Sequence, residues 1–446
     1  MSANWQPKQS IYKGIVHDQF TDGEIYDNIY LMIVERPEEA DMEYIFTERA
    51  HLMCPNMCFG IVMRINAELD ESRIADTVKC LSLAHPFIRA LISHEEKENS
   101  FFYDVKEASQ AEISVCPGNV PDIDSPEIIT EFEGITSKDF DLSKEGMLKI
   151  SVWPSGEKTI VLMVFHHLLA DGRGALELSK EFADHYVLGK QPVYAEEKLI
   201  SSAAEFPENS RLPFISRWLV NRANKQWKKE NKRLSYEDYH RFADDFLKTD
   251  KVKHNLSVFQ VSETGQIAEK CKAEGVTVND YLLAKLFTED RIKRIVMAKD
   301  IRKTLKCYNP GALGNYSTAF SVEINSFEDD IFTVAKQVHE KVRQITARTS
   351  SLYLVLQCYA ALDPGLLDAA MMAGRGSFES KAAEFIGKTF FHMNKAEGYS
   401  ITNLGKSESE TLEDAYFIPP ASPAIKKTLG VLTLNGKMRI CTSERV

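Results

Sequence analysis

The chain lacks any long apolar run. The strongest, Ile160 to Phe165, is six residues, far short of the roughly 20 that a membrane helix requires. That excludes a membrane-spanning helix. The opening MSANWQPKQS lacks the charged-then-apolar order of a secretory signal, so a cytoplasmic location is expected. Positive charge is also in short supply, with 54 Lys and Arg against 65 Asp and Glu and a formal charge of −11. Phosphate backbones need a basic footprint, which excludes nucleic acid as a general partner. Cysteine is sparse and scattered, eight residues at 54, 58, 80, 116, 271, 307, 358 and 441. This is the pattern of buried, reduced thiols. Only His51, Cys54 and Cys58 cluster, in HLMCPNMC. A structural zinc wants four ligands and no second pair completes the set, so no metal is expected.

Against these absences stand 446 residues, 44% hydrophobic and 27% charged, more than one hydrophobic core usually covers. Strand and helix patterns interleave in both halves, which predicts a mixed α/β (α+β) fold. Phe59 to Leu69 partly alternates and reads as a strand, followed by a helix with Ile74, Val78 and Leu81 on one face and Asp70 or Ser72 as its cap. GMLKISVW and TIVLMVFHH are two strands around the turn residues Pro154, Ser155 and Gly156. A helix carrying Ala175, Leu178, Phe182 and Tyr186 closes at Gly189. From about 190 to 250 the composition shifts. Asn221 to Arg233 holds six basic residues against one acidic, and Phe214, Trp218 and Leu219 before it are expected to form a docking face. The second half restarts with HNLSVFQV and ends in a hairpin turned at Asn435-Gly436.

The chemistry concentrates in FHHLLADGRG, Phe165 to Gly174, the predicted connection between a buried strand and a helix. Side chains on such strand ends are held by a rigid scaffold. An imidazole there can take a proton from an attacking alcohol or amine. Asp171, four positions after His167, either orients that imidazole or anchors its loop, and spacing does not separate the two. Gly172 permits a backbone conformation or a close approach that a side chain would block.

HHLLADG resembles the HHxxxDG signature of the condensation-domain and chloramphenicol-acetyltransferase-like acyltransferase superfamily. Residues 54–90, with HPFIR in place of "HPxLR", look like its opening strand and helix. GVTVNDYLLAKLF resembles its "TxNDxLLA" helix, AKDIRKTL with GALGNYSTAF its "vDlR…GNy" region, and ITNLG its "SNLG" strand. The resemblance spans roughly residues 50 to 440. It implies two chloramphenicol-acetyltransferase-like lobes in a V-shaped pseudo-dimer with mixed sheets flanked by helices. The lobes would be 1–190, carrying HHxxxDG, and 251–446, joined by a linker and basic helix over 191–250.

The same resemblance makes His167 the catalytic histidine in an interlobe tunnel, with Asp171 and Gly172 completing the motif. It makes Asp171 structural, paired with Arg302 across the lobes. Donors to a developing oxyanion would come from the backbone near Gly172 or from Asn315, Thr402 or Asn403. Tyr316 with Asn315 shapes the channel or meets substrate. His166, His85 and Arg89 read as scaffold, with His166 the alternative substrate contact. The implied enzyme is an acyltransferase of the alcohol-acetyltransferase-like type. It would move an acyl group from acyl-CoA, a co-substrate rather than a bound cofactor, to a small alcohol or amine. Lacking a "GGxS" carrier signature, it reads as free-standing, and because two lobes in one chain could form the interlobe site alone, a monomer is expected. Two alternatives are a stand-alone condensation enzyme fed by an acyl-phosphopantetheine on an acyl carrier protein, and a silent binding homologue.

Overall fold

Lys158–His166 (β7) is the least ambiguous strand of the first half. Side chains alternate between the faces of a strand, yet every residue from Thr159 to His166 is buried, so both faces of the sheet are covered. In the computed structural model, which describes residues 42–324, 328, 330–391 and 398–446, β7 is central in a five-stranded sheet. Cys58–Ile65 (β2) pairs with it on one side and Leu148–Ser155 (β6) on the other, both antiparallel. Glu112–Val115 (β5) extends the sheet parallel to β6. Phe132, from the Pro126–Thr136 helix, lies so near Gly60 of β2 that a Cβ there would sit 3.2 Å from its ring. The opening decapeptide and residues 392–397, part of the unassigned segment 374–397, lie outside the described residues.

A second, six-stranded sheet holds the later half, in the order Ser317–Glu323 (β10), Arg294–Asp300 (β9), Tyr399–Ser407 (β11), Lys427–Leu434 (β13), Lys437–Arg445 (β14) and Val252–Phe259 (β8). β11 is parallel to both its neighbours and the remaining pairs are antiparallel. A small sheet of Met42–Tyr44, Ala90–Glu95 and Ser100–Val105 stands apart. Mixed sheets flanked by helices are thus the architecture, with two core clusters, the first of which also takes in Leu404, Leu432, Leu434 and Cys441 of the second sheet.

The sheets do not respect the chain-order division at 190 and 250. Leu412–Ile418 (β12) leaves the second half and pairs antiparallel with β2, completing the first sheet. Residues 41–446 form one unit by contacts. A third cluster joins Ala195, Ile200 and Phe206 of the linker to Ile301, Leu305 and Tyr316.

Two expectations change. Asp70 rather than Ser72 caps the Glu71–Ala84 helix, its Oδ1 accepting the Arg73 N–H at 3.1 Å. The docking face of the Phe214–Glu230 helix is Val220, Ala223 and Trp227, while Phe214 and Trp218 point outward. Both sets have helical spacing, so periodicity alone did not say which stripe meets protein.

Candidate active site

β7 ends at His166, where the ladder gives out. The His166 N–H donates to the Met147 carbonyl at 2.9 Å, and its Nδ1 accepts the Leu168 N–H at 3.3 Å. Burial, reinforced by His167, pushes its proton affinity down to about 3. His166 is therefore a neutral ring fixed within the scaffold.

One residue on, the His167 N–H donates to the Met57 carbonyl at 2.8 Å, which turns the side chain out of the sheet. The ring stacks on His51 at 4.7 Å between centroids and 9° between planes. Phe59 meets it edge-on at 5.2 Å. Its Nδ1 is buried without a hydrogen bond of normal geometry among the described residues. Desolvation lowers its pKa below the ordinary 6.5, and the residue's own carbonyl and Asp171 offset part of that. A neutral imidazole at physiological pH follows.

Asp171 does not touch that ring. It is the N-cap of the Gly172–Leu188 helix, buried, with both oxygens engaged. Oδ1 accepts the Gly174 N–H at 2.9 Å and Arg302 Nη2 at 2.5 Å, and Oδ2 accepts the Tyr316 N–H at 3.0 Å. The Asp171 N–H in turn donates to the Gly314 carbonyl at 3.1 Å. Arg302 also lies 3.0 Å from Asp300. Of the two roles left open by spacing, the geometry gives Asp171 that of an anchor. It pins the motif loop to the DIR and GNY segments of the other half, as a charge-assisted pair can.

The GNY segment then delivers Asn315. Ser317 donates its hydroxyl to Asn315 Oδ1 at 2.8 Å, which orients the amide so that Nδ2 donates to His51 Nδ1 at 3.2 Å. His51 belongs to the short Arg49–Leu52 helix, held by a buried bidentate pair from Arg49 to Asp368 at 2.6 and 2.7 Å. Burial and the neighbouring histidines hold the His51 pKa well below its usual value. Sequence reasoning considered His51 only as a metal ligand beside Cys54 and Cys58. Instead the cluster divides, His51 toward His167 and Asn315, and the Cys54 thiol toward the Pro55 carbonyl. The nearby HHxxxDG motif gives no signal at position 51; the contact exists only once the chain has folded.

The remaining expected residues spread out. Tyr316 is buried with its hydroxyl 2.8 and 3.1 Å from the Lys198 and Leu313 carbonyls, which leaves it no proton to donate to a substrate. Asn403 is exposed, bonded to Asn279 and the Gly405 N–H. Thr402 is half-buried beside it on β11. Gly172 has no positive φ; it is needed because Leu404 of β11 approaches, and a Cβ would lie 2.7 Å from Leu404 Cδ2. His85 proves to be a buried junction, its Nε2 2.6 Å from Glu181 and its Nδ1 3.1 Å from Glu197. Glu197 also accepts the Phe87 and Leu313 N–H groups, so this scaffold histidine braces the segment that carries Asn315.

A cavity of about 140 Å³ opens beside His51, with Met53, Met57, Tyr359, Leu367 and Met371 among its walls. His167 does not itself line it. His51 lines this cavity, and its ring stacks on His167.

The model of the condensation domain matches residues 58–288 of this chain. No curated protein sequence matches it. Among solved structures, the epimerization domain from the third module of tyrocidine synthetase B is similar at TM-score 0.54 and 14% identity, covering 98% of this chain and 93% of that one. Polyketide synthase associated protein 5 from Mycobacterium tuberculosis is similar at 0.55 and 13%, covering 92% and 94%. The first condensation domain of the calcium-dependent antibiotic synthetase is similar at 0.57 and 10%, covering 91% of each chain.

Proposed function

Because the chain belongs to the condensation-domain family of acyl-transferring enzymes, we propose that it moves an acyl group from a CoA thioester to a small alcohol or amine, with His167 as general base. The single observation that carries this reading is the His167 ring, deprotonated by its surroundings and set beyond the end of β7 on a loop pinned by Asp171 and Arg302. With Nδ1 the buried nitrogen, Nε2 is the atom left to meet substrate. A proton on Nδ1, near the residue's own carbonyl, leaves the Nε2 lone pair free.

In the proposed reaction Nε2 accepts the acceptor's O–H or N–H proton as the oxygen or nitrogen attacks the thioester carbon. The tetrahedral oxyanion collapses, the C–S bond breaks, and the imidazolium returns the proton to the thiolate. Ester or amide and free thiol are the products. Asn315 already donates to His51, so it acts here by holding the His51–His167 stack. The Gly172 backbone and Thr402 remain the oxyanion donors of this reading.

The similarity to domains of multi-module synthetases supports a second reading in which an acyl-carrier protein presents the thioester. Purified protein incubated with short acyl-CoAs and alcohols or amines, with free thiol followed in time, tests both. Thiol release with acyl-CoA supports the first reading, and release only with an acylated carrier protein supports the second. No release with either overturns both in favour of a silent binder. His167→Ala should cut turnover by about 10²–10⁴-fold with thermal stability preserved. The acid limb of kcat/KM should lie below the ordinary histidine value of 6.5.

A further inference from the structure

The Phe214–Glu230 helix, assigned to no part of the acyl-transfer site, turns three large apolar side chains into solvent within its first turn and a half. Phe214 is 78% exposed, Ile215 71% and Trp218 52%. Its opposite stripe, Val220, Ala223 and Trp227, is buried against the protein. On the outward face also stand Arg217, Arg222, Lys225, Lys228 and Lys229, all exposed. Among the described residues none of these five forms an ion pair. The only acidic residue of the helix, Glu230, is turned to Ser380 and the Ala382 N–H. Arg222 lies over the Trp218 ring at 5.6 Å.

We propose that this face docks the protein on an anionic lipid surface, with Phe214, Ile215 and Trp218 inserted at the headgroup boundary and the five cations against the headgroups. Exposed apolar side chains in such density mark an interaction surface rather than scattered exposure. Their company decides the partner. The chain as a whole carries −11, so an unpaired cationic stripe flanking aromatic and aliphatic tips is a local exception. It suits a flat negative surface that is apolar just beneath. An indole under a guanidinium suits the same boundary, where amphipathic rings collect. Among the described residues no helix is long and apolar enough to cross a membrane, so the association is peripheral.

The test is co-sedimentation of the full chain with vesicles of phosphatidylcholine alone and with added phosphatidylglycerol. Binding to the anionic vesicles, weak binding to the neutral ones, and loss of binding as salt rises are expected. Phe214→Ser with Trp218→Ser should weaken binding by at least about tenfold. Lys225→Gln with Lys228→Gln should weaken the preference for anionic lipid. Both variants change solvent-facing side chains, so an unchanged melting temperature confirms that folding is not the cause. Failure to sediment with either vesicle, or binding indifferent to both variants, overturns the proposal. Retention of an acidic carrier protein through these residues, without vesicle binding, also overturns it and assigns the face to a protein partner.

Discussion

At Asp171 two buried charges from distant parts of the chain meet at 2.5 Å, and the carboxylate also caps a helix and holds the Tyr316 N–H. Removing Asp171 leaves the buried guanidinium with Asp300 as its one remaining ion-pair partner among the described residues, at 3.0 Å. Asp171→Ala should therefore cost about 3–5 kcal/mol of stability, read from urea unfolding. Adding Arg302→Met should restore part of it, because the buried cation is gone. An Asp171→Ala protein of wild-type stability with lost turnover would move this residue into the chemistry. His85 makes a second residue-scale prediction. Burial opposes its charge, but the Glu181 and Glu197 carboxylates prevail and raise its pKa to about 9. A folded pKa above the unfolded value of 6.5 contributes stability that is complete below about pH 6.5 and lost as pH rises through about 9. Wild type should thus lose stability between those limits, and His85→Gln should lose less over the same range. A flat wild-type profile there would show that the cluster carries no proton that unfolding releases.

Among the elements, β12 does the most with the fewest residues. Its seven residues come from the second half, complete the first sheet against β2, and lie close to β13. The approach is tight at Gly430, where a Cβ would meet the Phe417 carbonyl at 2.7 Å and Pro419 Cδ at 2.8 Å. Backbone cannot swing aside as a side-chain tip can. Gly430→Ala should therefore destabilise by about 1–3 kcal/mol. Gly172→Ala, whose 2.7 Å contact is only the end of Leu404, should cost less. Equal losses in parallel denaturation curves would refute that ranking. The element also explains a limit of sequence reading. Leu412 to Ile418 carries no local mark of which sheet it joins, since pairing partners are set by the whole path of the chain. The β7 run, the Asp70 cap and the Asn435-Gly436 turn were legible because their causes lie within a few residues of one another.

Across the whole molecule, two cores are joined by β12, by the Asp171–Arg302 pair and by the linker cluster around Ile200 and Tyr316. Loss of either large sheet exposes an edge or a buried charge of the other. Heating should therefore give one calorimetric transition over residues 41–446, with calorimetric and van't Hoff enthalpies in agreement. Two resolved transitions would mean that the halves fold independently.

The sequence by itself determined the mixed architecture, the buried strand that ends in two histidines, and the motif that marks His167. Each is written in short-range periodicity or in spacing along one segment. Tertiary structure alone decided that His51 stacks on His167, that Asn315 reaches His51 from 264 residues away, and that Phe214 and Trp218 face outward. Those outcomes depend on which surfaces meet when distant segments pack, and the free energy of that meeting belongs to no single stretch of the chain.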